Sequence, residues 1–374
     1  MLHAVNRARR SNTKTAIVVS GGPGSGKSVI ALSLMGELSR QGRTVVHATG
    51  SRSFTQTLRK VAGARAPQVR KLFTYFNSFV ASEPNELECL ILDEAHRIRA
   101  TSASRWTRKE HRTGRAQLDE LLDAARVPVF LLDQNQIVRP GELGTVDDIQ
   151  ARAAAEGMRV EHIDLDGQFR CGGSRLYVDW VQRLLGLQPG GPVPWTGDDG
   201  FEVHVADSAS EMSHSLAILS DEGYSARMAA GFCWPWSDPR PDGSLVADIQ
   251  IDDWSRPWNL RGDRGVGGAP PAALWATDPA GFDQVGCIYT AQGFEYDHAG
   301  VIIGPDLVWR DDRWRSVRQA SKDPELRSSK VSEPDFDRLV RNVYKVLMTR
   351  GMRSVHLYST DPATREFLRG LVDP

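Results

Sequence analysis

GGPGSGKS, Gly21 to Ser28, follows the apolar run TAIVVSG and opens the helical stretch VIALSLMGEL. The octapeptide fits GxxxxGK[ST], and a strand before it with a helix after it is the context that makes such a match a P-loop. Glycines let the backbone curl until successive N–H groups and a helix N-terminus face a β-phosphate. Gly21, Gly22, Pro23, Gly24, Ser25, Gly26, Lys27 and Ser28 therefore read as a nucleotide cradle for an ATP substrate. Lys27 reaches the β- and γ-phosphates, and Ser28 ligates Mg2+.

Working outward, LECLILDEAH has the pattern of a buried strand ending in Asp93 and Glu94. An Asp at the carboxyl end of a strand beside a P-loop can hold the Mg2+ water shell, and the adjacent Glu can polarise an attacking water. Hydrolysis is the expected chemistry. A further strand, VPVFLLD, leads into Asp133, Gln134, Asn135 and Gln136, a polar cluster at the same sheet edge.

From Thr15 to Leu165 short apolar runs alternate with helical stretches, and near Gln168 the pattern restarts with FEVHVA. Such alternation is the signature of parallel sheets covered by helices. The expected fold class is α/β, with one lobe over residues 1–160 and a second over 161–374, the latter carrying a Trp-rich insertion near 232–280.

The order of these motifs resembles the superfamily 1 helicase core, which implies two RecA-like P-loop NTPase lobes with the nucleotide between them. DQNQ looks like motif III, with Gln136 as γ-phosphate sensor. LDGQFR looks like motif IV and puts Arg170 at an arginine-finger position. YTAQGFEYDHAGVIIG is similar to motif V, where Gly293 and Glu295 match positions that contact phosphate and ribose. VYKVLMTRG is similar to motif VI and places a second finger at Arg350. A guanidinium there would stabilise charge spreading over the γ-phosphoryl oxygens. The DEAH spelling also occurs in superfamily 2, but the QxxGRxxR pattern of that group is absent. Through FCWPW and GCIYTAQGFEYDHAGVIIGPDL the chain looks like the bacterial Schlafen-type helicase-like ATPase family, a group described mainly as a domain of unknown function.

Two departures matter. No Gln precedes Gly21 to serve as an adenine-reading residue. The intervals from Lys27 to Asp93 and from Arg170 to Thr290 are also short. UvrD-type helicases carry large accessory domains in those intervals, so a motor built on this chain is minimal.

Single-stranded DNA or RNA is the expected partner, with a protein partner as a further possibility. From Arg97 to Arg115 seven Arg or Lys stand against one Glu, with Trp106 among them. That composition suits a phosphate-tracking loop or a solvated one. HATGSRSFTQT lies where motif Ia falls, and Phe73, Phe76 and Phe79 of KLFTYFNSF either meet a strand or pack the core. Five tryptophans between residues 234 and 275 offer base stacking, a partner surface or an insertion core.

Composition bounds the rest. At 374 residues, 40% apolar and 25% charged, the chain is neither disordered nor fibrous. Its net charge of −1 removes any argument from overall charge for a polyanion, so a nucleic-acid surface must be local. Cys89, Cys171, Cys233 and Cys287 form no CxxC pair, which suits a reducing cytoplasm. No apolar run is long enough for a membrane span. The favoured reading is a nucleic-acid-dependent ATPase or single-strand translocase; the alternative is an ATP-gated switch without motor activity, for example in bacterial defence.

Overall fold

The computed structural model describes residues 1–11, 13–22, 24–62, 67–103, 112–133, 136–165, 171–197 and 200–372. The chain divides into two compact units, residues 1–137 with 141–168 and residues 138–140 with 169–374. Each is an α/β unit built on a parallel sheet.

The first unit runs α1 Leu2–Arg10, β1 Thr15–Gly21, α2 Lys27–Arg40, β2 Val45–Thr49, α3 Arg52–Ala62, β3 Phe73–Tyr75, β4 Leu87–Asp93, α4 Gln117–Ala124, β5 Ala125–Leu132, α5 Val146–Ala155 and β6 Arg159–Leu165. The six strands lie in the order β3-β2-β4-β5-β1-β6, all parallel. A sheet covered on both faces buries every residue of its central strands, which is why β1, β4 and β5 read as continuous apolar runs. The alternation of side chains across a strand feeds two cores. Ala16, Val18, Leu90, Leu92, Phe130 and Leu132 go to one face under Leu121, Leu122 and Ile149 of α4 and α5. Ile17, Val19, Cys89, Ile91, Val129 and Leu131 go to the other, under α1 and α2.

Phe73 joins the second of these cores, while Phe76 and Phe79 join the first. All three are buried, so the packing reading of KLFTYFNSF holds. Strand β6 pairs with β1 from Thr15↔Arg159 to Gly21↔Leu165. That pairing carries the first unit past the boundary expected near residue 160, to residue 168. Because β2 to β5 lie on one side of β1 and β6 on the other, the strand order reverses at β1. The crevice at such a reversal, at the carboxyl ends of the strands, is where open α/β sheets bind ligands.

The second unit runs α6 Arg175–Leu184, β7 Glu202–Val205, α7 Ala209–Asp221, β8 Ala226–Ala230, β9 Ile249–Ile251, β10 Trp254–Arg256, β11 Gly286–Cys287, α8 Ile288–Ala291, β12 Tyr296–Ile303, β13 Leu307–Arg310, β14 Arg313–Ser316, α9 Glu333–Met348, β15 Gly351–Ser359 and α10 Pro362–Val372. Its main sheet, β11-β8-β12-β15-β7, is again parallel throughout. GCIYTA stays extended only through Cys287 and then turns into α8. Trp254 and Trp258 are buried in one core with Met212, Leu216 and Met228, and Trp234 and Trp236 pack against it. Trp236 stacks on Trp258 at 5.4 Å. These residues build the core of the insertion between β8 and β11. Among the described residues no helix is long and apolar enough to cross a membrane.

Candidate functional site

Strand β1 ends at Gly21 and α2 begins at Lys27, so the P-loop spans the turn between them. Gly24 and Gly26 have φ of 76° and 78°, the left-handed region where a side chain is strained. A Cβ on Gly21 would stand 2.5 Å from Ser25 Oγ, so only glycine lets the strand end close against the loop. Lys27 Nζ donates to the Gly21 and Gly22 carbonyls at 2.9 and 2.7 Å and to Ser25 Oγ at 3.0 Å. An ammonium at the mouth of a helix N-terminus favours a phosphate. Ser28, the next residue of α2, is half-buried. Pro23 lies outside the described residues.

Asp93 closes β4, and its Oδ1 accepts the Glu94 N–H at 2.9 Å. Its Oδ2 is buried, has no hydrogen bond among the described residues, and faces His47 Nε2 at 3.4 Å. A buried carboxylate oxygen with spare lone pairs fits a hard cation such as Mg2+, whose ligands are oxygens. His47 comes from β2, which pairs with β4 in the register Thr49↔Asp93, and its ring sits edge-on to Phe73 at 5.6 Å. Glu94 adopts φ 57° and ψ 41°, a conformation uncommon for a residue with a side chain. Its Oε2 lies 3.2 Å from His96 Nε2 and 3.7 Å from Arg97 Nε. At the end of β5, between β1 and β4, Gln136 Nε2 donates to Asp133 Oδ2 at 3.0 Å. Gln134 and Asn135 lie outside the described residues. Lys27, Asp93, Glu94 and Gln136 thus follow the carboxyl ends of three adjacent parallel strands.

In the second unit Gly293, two residues past α8, has φ 103°, and Glu295 is exposed. Arg350 is fully buried at the junction of α9 and β15. Its Nε donates to the Val346 carbonyl at 2.9 Å and its Nη1 to the Phe294 carbonyl at 3.5 Å. Arg170 lies outside the described residues.

Beside the acids of β4 the first unit carries a cavity of about 440 Å3, whose walls include Gly50, Arg52, Tyr75, Arg97, Arg99 and Gln117. HATGSRSFTQT, KLFTYFNSF and the start of the basic segment thus share one hollow. Arg52 and Arg99 are exposed, and Arg59 covers the Tyr75 ring at 5.2 Å. Arg115 is ion-paired with Asp123, while Arg105, Trp106, Arg108 and Lys109 lie outside the described residues. Sequence reading missed His47 and the Glu94–Arg97 pair. His47 carries a weak signal, a lone His in an otherwise apolar strand; Arg97 carries only its place three residues after Glu94.

The family model described as Schlafen group 3, DNA/RNA helicase domain, matches residues 14–361. The uncharacterized protein YPL245W of Saccharomyces cerevisiae is 23% identical over 397 residues, covering 94% of this chain and 83% of the yeast protein. Among solved structures, the Pif1 helicase of Candida albicans is 10% identical with a TM-score of 0.39, covering 99% of this chain and 98% of its own. The replication initiator DnaA bound to AMPPCP and single-stranded DNA is 14% identical with a TM-score of 0.26, covering 50% of this chain and 51% of its own. At such scores these likenesses are distant.

Proposed function

The chain belongs to the Schlafen group 3 DNA/RNA helicase domain family, and on that premise we propose that it hydrolyses ATP with Mg2+ in response to a bound single strand of DNA or RNA. The observation that carries this reading is the row of Lys27, Asp93, Glu94 and Gln136 at the carboxyl edge of one sheet, with an arginine-lined cavity next to it.

Lys27 and the N-terminus of α2 hold the β- and γ-phosphates, and Ser28 and Asp93 are the residues that would hold Mg2+. Mg2+, when bound, supplies Lewis-acid neutralisation of phosphate charge. Glu94 orients the water whose oxygen bonds to the γ-phosphorus while the bond to the β–γ bridging oxygen breaks, giving ADP and phosphate. Gln136 senses the γ-phosphate, Gly293 and Glu295 contact phosphate and ribose, and Arg170 and Arg350 supply transition-state charge. The strand runs over the cavity, where Arg52 and Arg99 meet its phosphates. The protein acts in the cytoplasm.

Steady-state ATP turnover with and without poly(dT) or poly(U), at two salt concentrations, tests the reading. Stimulation that weakens as salt rises is expected. Turnover indifferent to every strand would leave an ATP-gated switch, and no turnover in any condition would remove the hydrolase.

A further inference from the structure

Resting on the reading of Glu94 as the water-orienting acid, we propose that Arg97 is a positioning residue that restrains Glu94 until a strand phosphate draws its guanidinium into the adjacent cavity. Three observations converge on Arg97. The first is the pair itself: Arg97 Nε stands 3.7 Å from Glu94 Oε2, with side-chain exposures of 7% and 13%. Charges so far removed from water interact strongly, because little solvent screens them.

The second is how the backbone sets up the pair. Glu94 takes a left-handed conformation and Ala95–Arg97 forms a single tight turn, with Arg97 N–H donating to the Glu94 carbonyl at 2.9 Å. The turn is short enough that the side chains at its two ends, Glu94 and Arg97, meet. A non-glycine residue persists in this region only when its surroundings fix it there, and such positions cluster at functional sites. The same Oε2 is approached by His96 Nε2 at 3.2 Å. Arginine and histidine thus draw one oxygen of the acid toward themselves.

The third is that Arg97 also forms part of the cavity wall with Arg52, Arg99 and Tyr75. A Cβ on Gly50 would lie 2.7 Å from Arg97 Cβ, so the end of β2 is packed directly against the arginine stem. The stem is fixed, and the guanidinium at its end stands between the acid and the cavity. A phosphodiester in the cavity presents oxygens that a guanidinium can grip in bidentate fashion. Arg52 and Arg99 strengthen the attraction of the phosphate to the site. When the guanidinium turns to the phosphate, Glu94 loses that neighbour and can take up the attacking water. Coupling of this kind is reciprocal. A state in which Glu94 is engaged with water and the γ-phosphate therefore releases Arg97 and tightens the grip on the strand.

The test measures ATP turnover by the full chain and by Arg97→Ala and Arg97→Gln, without a strand and with poly(dT) or poly(U). Each variant is expected to raise the strand-free kcat severalfold with little change in KM for ATP, and to bring the stimulation ratio toward one. A strand-free kcat at or below the wild-type value in a folded variant overturns the restraint, whatever the strand then does. Arg97→Gln keeps the stem that Gly50 packs on, and it decides the matter if Arg97→Ala melts early. In the wild type, a non-hydrolysable ATP analogue should tighten binding of poly(dT) or poly(U), and equal affinity with and without the analogue overturns the coupling. Wild-type turnover that ignores both strands fails the proposed function instead, because the strand-free rate of the variants reads the restraint by itself.

Discussion

His47 and Asp93 face each other across adjacent parallel strands, Nε2 at 3.4 Å from Oδ2 with both side chains 1% exposed. The separation is too long for a good hydrogen bond, so the histidine steers the carboxylate without saturating it. His47→Ala leaves that oxygen without this neighbour. The Mg2+ concentration giving half-maximal turnover should rise severalfold, and stability should fall by about 1–3 kcal/mol. A Mg2+ titration of turnover beside a urea melt checks both, and an unchanged Mg2+ requirement would reduce His47 to core packing.

Lys27 and Glu94 should separate binding from chemistry. Lys27→Ala removes the donor shared by the Gly21 and Gly22 carbonyls and Ser25 Oγ, so the loop loses its own central contact as well as its hold on phosphate. Nucleotide binding is expected to vanish. Glu94→Gln leaves that loop intact and should bind ATP normally while turnover drops by roughly a hundredfold or more. Fluorescent-nucleotide binding and single-turnover hydrolysis make the comparison, and wild-type turnover in Glu94→Gln would remove the acid from the chemistry.

Arg52 and Arg99 line the cavity and are exposed, so their removal reads strand contact with little risk to the fold. For single strands each neutralised phosphate contributes roughly 0.7 to the slope of log K against log salt. The double variant Arg52→Ala, Arg99→Ala should flatten that slope by about 1.4. Binding of poly(dT) measured over a series of salt concentrations gives the slope, and an unchanged value would make the cavity a solvated groove.

The candidate site of the first unit is legible in the sequence because it sits where strands buried on both faces end. Ile17, Val18 and Val19, like Leu90, Ile91 and Leu92, are all buried, and such runs read as strand whatever their partners, with the polar residues that follow marking the sheet edge. Gly24 and Gly26, both at positive φ, announce a backbone that no other residue adopts without strain. The helices are less legible. Helices α1 and α3 are short, and basic residues crowd their apolar stripes. What the sequence hides most completely depends on strand order. His47 meets Asp93 only because β2 lies beside β4, and Phe73 and Phe76, three residues apart, enter different cores because the chain passes the sheet edge between them.

The same dependence on strand order brings two histidines together in the second unit, and it predicts an acid limb of stability. His356 of β15 is in register with His204 of β7, and their rings stack at 4.6 Å. Burial, aided by repulsion from His204 and His298, lowers the His356 pKa from 6.5 to about 3. Its Nε2 is buried with no hydrogen-bond partner among the described residues, so a proton there would go unsupported. His298 shifts the same way, chiefly through burial, against the opposing pull of Asp297, Glu202 and Glu222. The folded state therefore binds fewer protons than the unfolded chain. The contribution of His356 is fully present above pH 6.5 and declines as pH falls toward 3. Its loss runs at about 1.4 kcal/mol per pH unit. Nine of the ten tryptophans belong to the second unit, so tryptophan fluorescence follows its unfolding in urea. Between pH 7 and pH 5 the wild type should lose about 2 kcal/mol more than His356→Leu, which carries no proton-binding group at that position. Parallel losses in the two proteins would assign the acid limb to other residues.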